Sequence, residues 1–146
     1  LVRYLVDWVA FSSLKLEVQK ILSDILDTPV SPELLPPDKN GNIQQKTEEV
    51  VGPYELHDFF LYQLIRYGFT PTKIQFLANS AFMGVYTEEI ILKWLKVFYK
   101  RFFSQQFKRS CMPDGPKVGS ICLSPRGDFR MPSDADVSDW LKALEG

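Results

Sequence analysis

The chain has 146 residues, 45% of them hydrophobic and 14% aromatic, enough apolar surface for one ordinary domain with a core and too much for a disordered segment. With 17 basic and 18 acidic side chains the net charge is −1, which gives no global attraction to nucleic acid or to an anionic membrane, so any anion site has to be local. Cys111, Cys122 and the single histidine, His57, are too few and wrongly spaced for a structural zinc, and two free thiols in a reducing compartment are expected.

The chain opens inside a helical pattern, with Leu1, Leu5, Trp8 and Val9 on one face of a helix over Leu1 to Ala10. No initiator methionine or signal peptide precedes it, which reads as a fragment of a longer cytoplasmic protein. No apolar run reaches the ~20 residues of a membrane span. Ser12 and Ser13 close this helix or cap the next, where Val18, Ile21, Leu22, Ile25 and Leu26 recur at helical spacing from Leu14 onward. Helical logic fails at Thr28-Pro29. From there to Pro53 the chain carries Pro29, Pro32, Pro36, Pro37, Gly41 and Gly52. A loop of about 25 residues in a compact domain is usually functional or mobile, and its polar second part, Asp38 to Glu49, is expected to be flexible.

Gly52-Pro53 opens the next helix, with proline at its first position, and Gly68 closes it after Tyr67. Thr70-Pro71 starts another, carrying Ile74, Leu77, Ala78, Ala81 and Phe82 and stopping at Gly84. Thr87-Glu88-Glu89 opens the longest helix, with acids in the first turn where the helix dipole favours them. Its apolar stripe is Ile91, Trp94, Leu95, Phe98, Phe102 and Phe103, and Lys93, Lys96 and Lys100 lie on a polar side. Short helices followed by a long one also fit a DNA-binding helix-turn-helix, but the charge balance favours a plain helical hairpin. Ser104 to Met131 is basic and punctuated by glycine and proline, with one candidate strand over Lys117 to Leu123. Ser133 to Asp136 resembles a capping box with Asp in place of Glu, ahead of a final helix carrying Val137, Trp140, Leu141 and Leu144. The pattern predicts a mainly α module of about six helices with at most one or two short strands. It divides into helices over 1–28, a loop over 29–52, a helical core over 53–103 and C-terminal motifs with a last helix over 104–146.

Several residue groups carry possible chemistry. Lys108-Arg109, two cations leaving a helix end, serve the helix dipole or bind a phosphate or carboxylate. Ser31 and Glu33 form either a proline-stiffened turn or a contact to Mg²⁺ or phosphate. Arg126-Gly127-Asp128, with Arg130 and Asp134 beyond, is a glycine bend that aims charges at a common site or a surface ion-pair cluster. Without a secretory context its adhesion-tripeptide reading has little support. His57 beside Asp58 cannot act as a dyad, because helical neighbours point about 100° apart.

Taken in order, these segments resemble one family. Ile25 to Leu34, Gln45 to Asp58, Gln106 to Ser110, Pro113 to Val118 and Leu123 to Asp128 are each similar to consecutive motifs in the synthetase domain of bacterial glutamine-dependent NAD⁺ synthetases. The resemblance implies the helical C-terminal part of an α/β domain of the adenine-nucleotide α-hydrolase type. It implies an ATP- and Mg²⁺-dependent C–N ligase. ATP adenylates the nicotinate carboxylate of deamido-NAD⁺, and ammonia from a glutaminase domain of the same parent chain displaces AMP. It further implies a homo-oligomer with no nucleic-acid or membrane partner. By motif, Lys108 and Arg109 fall at deamido-NAD⁺, Asp128 at the amidation centre with Arg126 and Arg130 supporting it, and Ser31 and Glu33 at the ATP phosphates and Mg²⁺. The family's pyrophosphate signature, Ser-Gly-Gly-x-Asp-Ser, is absent, as is a glutaminase cysteine in its usual setting. The fragment alone is therefore expected to be inactive and to hold no cofactor. An independent helical interaction domain and a small nucleotide-binding regulator are the competing readings.

Overall fold

The computed structural model describes residues 2–13, 15–28, 50–113, 117 and 119–145. Among them are seven helices: α1 (Val2–Ser13), α2 (Leu16–Asp27), α3 (Tyr54–Tyr67), α4 (Pro71–Ala81), α5 (Glu88–Ser104), α6 (Gln106–Ser110) and α7 (Ser138–Lys142). The mainly α expectation is correct. The chain divides into two compact units, residues 1–50 and residues 51–146. No helix of the described residues is long and apolar enough to cross a membrane.

In the first unit α1 and α2 pack as a helical pair. α1 runs past the expected end at Ala10, and Ser12 Oγ donates back to the Val9 carbonyl at 3.4 Å, so this serine sits within the last turn. Lys15 in an extended conformation separates the helices, and α2 closes where the Thr28 hydroxyl donates to the Asp24 carbonyl at 2.9 Å. Ala10 is the only buried apolar residue described in this unit, while Tyr4, Leu5, Trp8, Phe11, Leu16, Ile21 and Ile25 stay exposed.

The second unit holds the core. α3, α4 and α5 enclose Leu56, Phe60, Ile74, Ala78, Ile91, Leu95, Phe98, Tyr99 and Phe102, and Leu144 packs back onto them from beyond α7. Local signals set the helix ends. Gly68 takes φ 64° and donates to the Leu64 carbonyl at 2.9 Å. Thr70 Oγ1 accepts from the Lys73 N–H and Thr87 Oγ1 from the Ile90 N–H, each at 3.4 Å. Pro53 is the cap of α3 and lies one position before its first turn. α4 stops at Ala81 and a turn reaches Gly84 at φ 80°.

Three features of the C-terminal stretch differ from the sequence pattern. The stretch after α5 forms α6 after a one-residue break at Gln105. The strand expected over Lys117 to Leu123 is not seen among the described residues: 119–123 are bends and coil, and the Cys122 N–H goes to a side chain where a strand would need a partner backbone. The last helix begins at Ser138, later than a cap at Ser133 implies, and the Asp136 carboxylate accepts from the Ser138 N–H and hydroxyl at 3.1 and 2.9 Å. Trp140 of α7 seals the core edge against Tyr99 and Phe103, with ring centroids 5.4 and 5.7 Å apart.

Candidate functional site

The charged residues singled out in the C-terminal stretch lie on α6 and on the segment 122–131. α6 starts with Gln106, which is 1% exposed. Lys108 lies on the solvent side, with its ammonium 6.0 Å from the centroid of the Phe107 ring. Arg109 turns the other way. Its Nε donates to Gln106 Oε1 at 2.7 Å, another guanidinium nitrogen donates to the Phe102 carbonyl, and the group sits 4.0 Å over the Phe102 ring. Burial pulls its pKa below the usual arginine value.

Segment 122–131 folds around a turn in which the Gly127 and Phe129 N–H groups both donate to the Ser124 carbonyl, at 3.1 and 3.3 Å. Asp128 Oδ2 accepts from Lys117 Nζ at 2.7 Å and from the Cys122 N–H at 2.9 Å. Lys117 first, then Cys122, hold this exposed carboxyl below the usual carboxylate range. The sequence reading gave that support to Arg126 and Arg130. In the structure Arg126 donates to the carbonyls of Ser110 (3.4 Å) and Met112, and Arg130 Nε donates to the Pro125 carbonyl at 3.1 Å. These arginines fix the shape of the segment and tie it to the end of α6.

No direct contact joins Lys108 to Asp128 among the described residues. Their segments are connected by Arg126, which bonds the Ser110 carbonyl, and by Gln106 Nε2 donating to the Met131 carbonyl at 3.0 Å, while Phe129 packs against Phe102 of α5 with centroids 5.7 Å apart. Gln106 and Lys117 were both missed from sequence. An amide beside Phe102 and Phe103 was a signal for the first, since a buried amide has to be paired on both sides. Nothing local marked the second. Ser31, Glu33 and the whole of Asp38 to Glu49 lie outside the described residues.

His57 is structural. It packs edge-on to Phe98 and Phe60, with centroids 5.8 and 6.3 Å away, and its Nε2 donates to the Val51 carbonyl. Burial lowers its pKa, with a smaller lowering from Arg101, against raising effects of the Val51 bond and Asp58. A cleft of about 550 Å³ between α3 and α4 is lined by Phe59, Tyr62, Gln63, Tyr67, Phe69 and Leu77 among others. It holds no carboxylate, lysine or histidine, and none of the candidate residues lines it.

No family model matches the chain. Individual relatives do. Glutamine-dependent NAD(+) synthetase of Mycobacterium leprae (strain TN) is 43% identical over 99% of the chain and 24% of its own length. The proteins of that name from Mycobacterium bovis (strain ATCC BAA-935 / AF2122/97) and Mycobacterium tuberculosis (strain ATCC 25618 / H37Rv) are 40% identical over the same shares. The chain is thus the counterpart of one segment of these synthetases and spans about a quarter of their length. The resemblance carried by the ordered motifs is correct at this level.

Proposed function

We propose that the chain is the C-terminal part of the synthetase domain of a cytoplasmic, homo-oligomeric, glutamine-dependent NAD⁺ synthetase, and that it closes one side of the site where deamido-NAD⁺ is amidated. The observation that supports this is the 40–43% identity to proteins of that name over 99% of the chain. In this reading the Lys108 ammonium attracts the nicotinate carboxylate and holds it for activation. Ammonia then forms the C–N bond, AMP departs with the electron pair of the broken C–O bond, and one proton leaves the nitrogen. Positive charge grows on that nitrogen during attack, and the role we give the Asp128 carboxylate is to stabilise it. With Lys117 and the Cys122 N–H on one oxygen, Asp128 is well fixed and ionised but a weak base. Its role is electrostatic first and proton acceptance second.

When bound, ATP supplies the adenylyl group that makes the carboxylate oxygen a leaving group, and Mg²⁺ screens the phosphates. The described residues bring no three His, Cys, Asp or Glu side chains together as a metal site would. Ser31 and Glu33, assigned to the ATP phosphates and Mg²⁺ by resemblance, lie in the undescribed stretch. We expect the ammonia to come from a glutaminase domain elsewhere in the parent chain and the 146 residues alone to make no NAD⁺.

The test uses the intact protein that carries this segment, assayed for NAD⁺ formation from deamido-NAD⁺, ATP and ammonia. Lys108→Ala should raise the apparent KM for deamido-NAD⁺. Asp128→Asn should lower kcat with little change in KM, the pattern of an interaction made mainly in the transition state. Each loss is on the order of 2–3 kcal/mol, roughly 30- to 150-fold. Near-normal kinetics in both variants would leave these residues a surface cluster and remove the site assignment. No amidation by the intact protein would remove the function.

A further inference from the structure

We infer that Gln106 and Arg109 are positioning residues for the amidation site, forming a partly buried polar relay that fixes the segment carrying Asp128 against the helix carrying Lys108. The inference rests on the proposed function and adds to it two residues that act through others. It also changes the place of Arg109, which the family motif alone sets at the substrate.

The relay runs Met131 carbonyl, Gln106 amide, Arg109 guanidinium, Phe102 carbonyl. Every link is a directional hydrogen bond, and its centre, Gln106, is 1% exposed. The amide has one donor side and one acceptor side turned to different segments. Its N–H reaches across 25 residues of sequence to Met131 at 3.0 Å, and its oxygen accepts from Arg109 at 2.7 Å. An apolar side chain of similar volume would fill the space but would leave the Met131 carbonyl and the Arg109 Nε without these bonds. Arg109 is locked in turn by the face of Phe102, 4.0 Å away, and that ring also packs against Phe129, the residue after Asp128. Asp128 is thus held between two attachments to the same short helix. Arg126, two residues before it, bonds the carbonyl of Ser110, the last residue of α6, and that of Met112 just past it, and Met131, three residues after it, bonds Gln106, the first residue of α6.

The geometry separates two jobs on adjacent residues. Lys108 and Arg109 are neighbours on a helix, about 100° apart around its axis. One presents its charge to solvent, and the other turns inward and sets the helix against the 122–131 segment. Rate depends steeply on such placement, since an error of about 1 Å at the reacting atoms can cost roughly 100-fold. Neither Gln106 nor Arg109 touches substrate in this account.

A double-mutant cycle in the intact enzyme, with ammonia as donor and at a temperature well below unfolding, distinguishes positioning from general stabilisation. Gln106→Leu should lower kcat/KM for deamido-NAD⁺ by roughly 10- to 100-fold in the native background and by no more than about threefold in the Asp128→Asn background. A residue that only stabilises the fold would give equal factors in both, or a lower Tm with unchanged kcat/KM, and either result overturns the inference. Arg109→Lys is the second variant, used if Gln106→Leu does not fold. It keeps the charge, loses the planar fork that serves Gln106 and Phe102 together, and should show the same background dependence with a smaller factor. Normal kinetics in Asp128→Asn and Lys108→Ala themselves would instead defeat the site assignment, and the positioning role with it.

Discussion

Residues 1–50 and residues 51–146 both carry amphipathic helices, yet among the described residues only the second unit has a core. Ten apolar side chains are buried among α3, α4, α5 and the C-terminal tail, against Ala10 alone in the α1–α2 pair. Leu5, Trp8 and Val9 repeat at the same spacing that buries Leu56 and Phe60, but remain exposed. Hydrophobic periodicity states which face will be covered and is silent on what covers it. Where the covering helix lies a few residues along the chain, the stripe becomes a core.

The largest effect expected from this contrast is the presence or absence of a fold. Residues 51–146 alone should unfold cooperatively. Residues 1–50 alone should show little helix by circular dichroism, because two 12-residue helices are near the lower limit of stability in water without an apolar partner. A helical, cooperatively melting 1–50 peptide at micromolar concentration would break the contrast.

A second expected effect acts within the stable unit. Gly52 is buried at φ 94°, and a Cβ placed on it would fall inside the Trp94 indole. Gly52→Ala combines a positive φ, costing about 1–2 kcal/mol for an L-residue, with overpacking of about 1–3 kcal/mol. The sum is a large part of a domain's net stability. The denaturation midpoint should drop accordingly, and Trp94→Leu in the same chain should recover the overpacking share while the φ cost stays. A Gly52→Ala variant of undiminished stability would show that the 51–53 turn relaxes freely.

His57 gives a smaller, pH-dependent effect. Its folded-state pKa lies below the unfolded value of about 6.5, so between the two the unfolded chain binds more protons and stability rises with pH. The contribution is complete above the unfolded pKa. It is lost as pH falls from there through the folded pKa, below which it changes no further. The Tm of residues 51–146 should therefore fall between pH 7 and pH 5, and His57→Phe, which keeps an aromatic ring against Phe60 and Phe98, should remove this part of the slope. An unchanged slope would assign it to carboxylates.

The same contrast explains what the sequence revealed. α3 to α5 were legible because their ends are set locally: Gly68, Thr70-Pro71 and Thr87 act within one turn. α6 and the segment 122–131 were not, because distant bonds fix them. Gln106 is bonded 25 residues away to Met131, and Asp128 is held by Lys117 across a turn-rich stretch that no periodicity describes. At the candidate site the family motifs indicated which charges to examine. They did not show that Arg109 faces inward or that Lys117 pairs with Asp128, since a motif carries residue types and no directions. The α1–α2 stripe was read correctly as helix, because helical spacing is a local property, while burial depends on contacts that spacing does not encode.

The smallest expected effect lies at Tyr99, at the centre of the core. The residue is fully buried between Phe98 and Trp140, and its hydroxyl has no hydrogen-bond partner among the described residues. Burial raises its pKa above the usual tyrosine value, which favours the neutral phenol. A buried hydroxyl without a partner loses its hydration and regains nothing. Tyr99→Phe in residues 51–146 should therefore be neutral or stabilising by up to about 1 kcal/mol, where a paired hydroxyl would lose about that much. Measured side by side in the 51–146 unit and in the intact parent protein, the substitution also tests how self-contained this core is. Equal signs mean that Tyr99 meets the same surroundings in both. A gain in the unit and a loss in the parent would mean that the rest of the parent chain supplies an acceptor to the Tyr99 hydroxyl, and that even the well-packed unit is completed from outside.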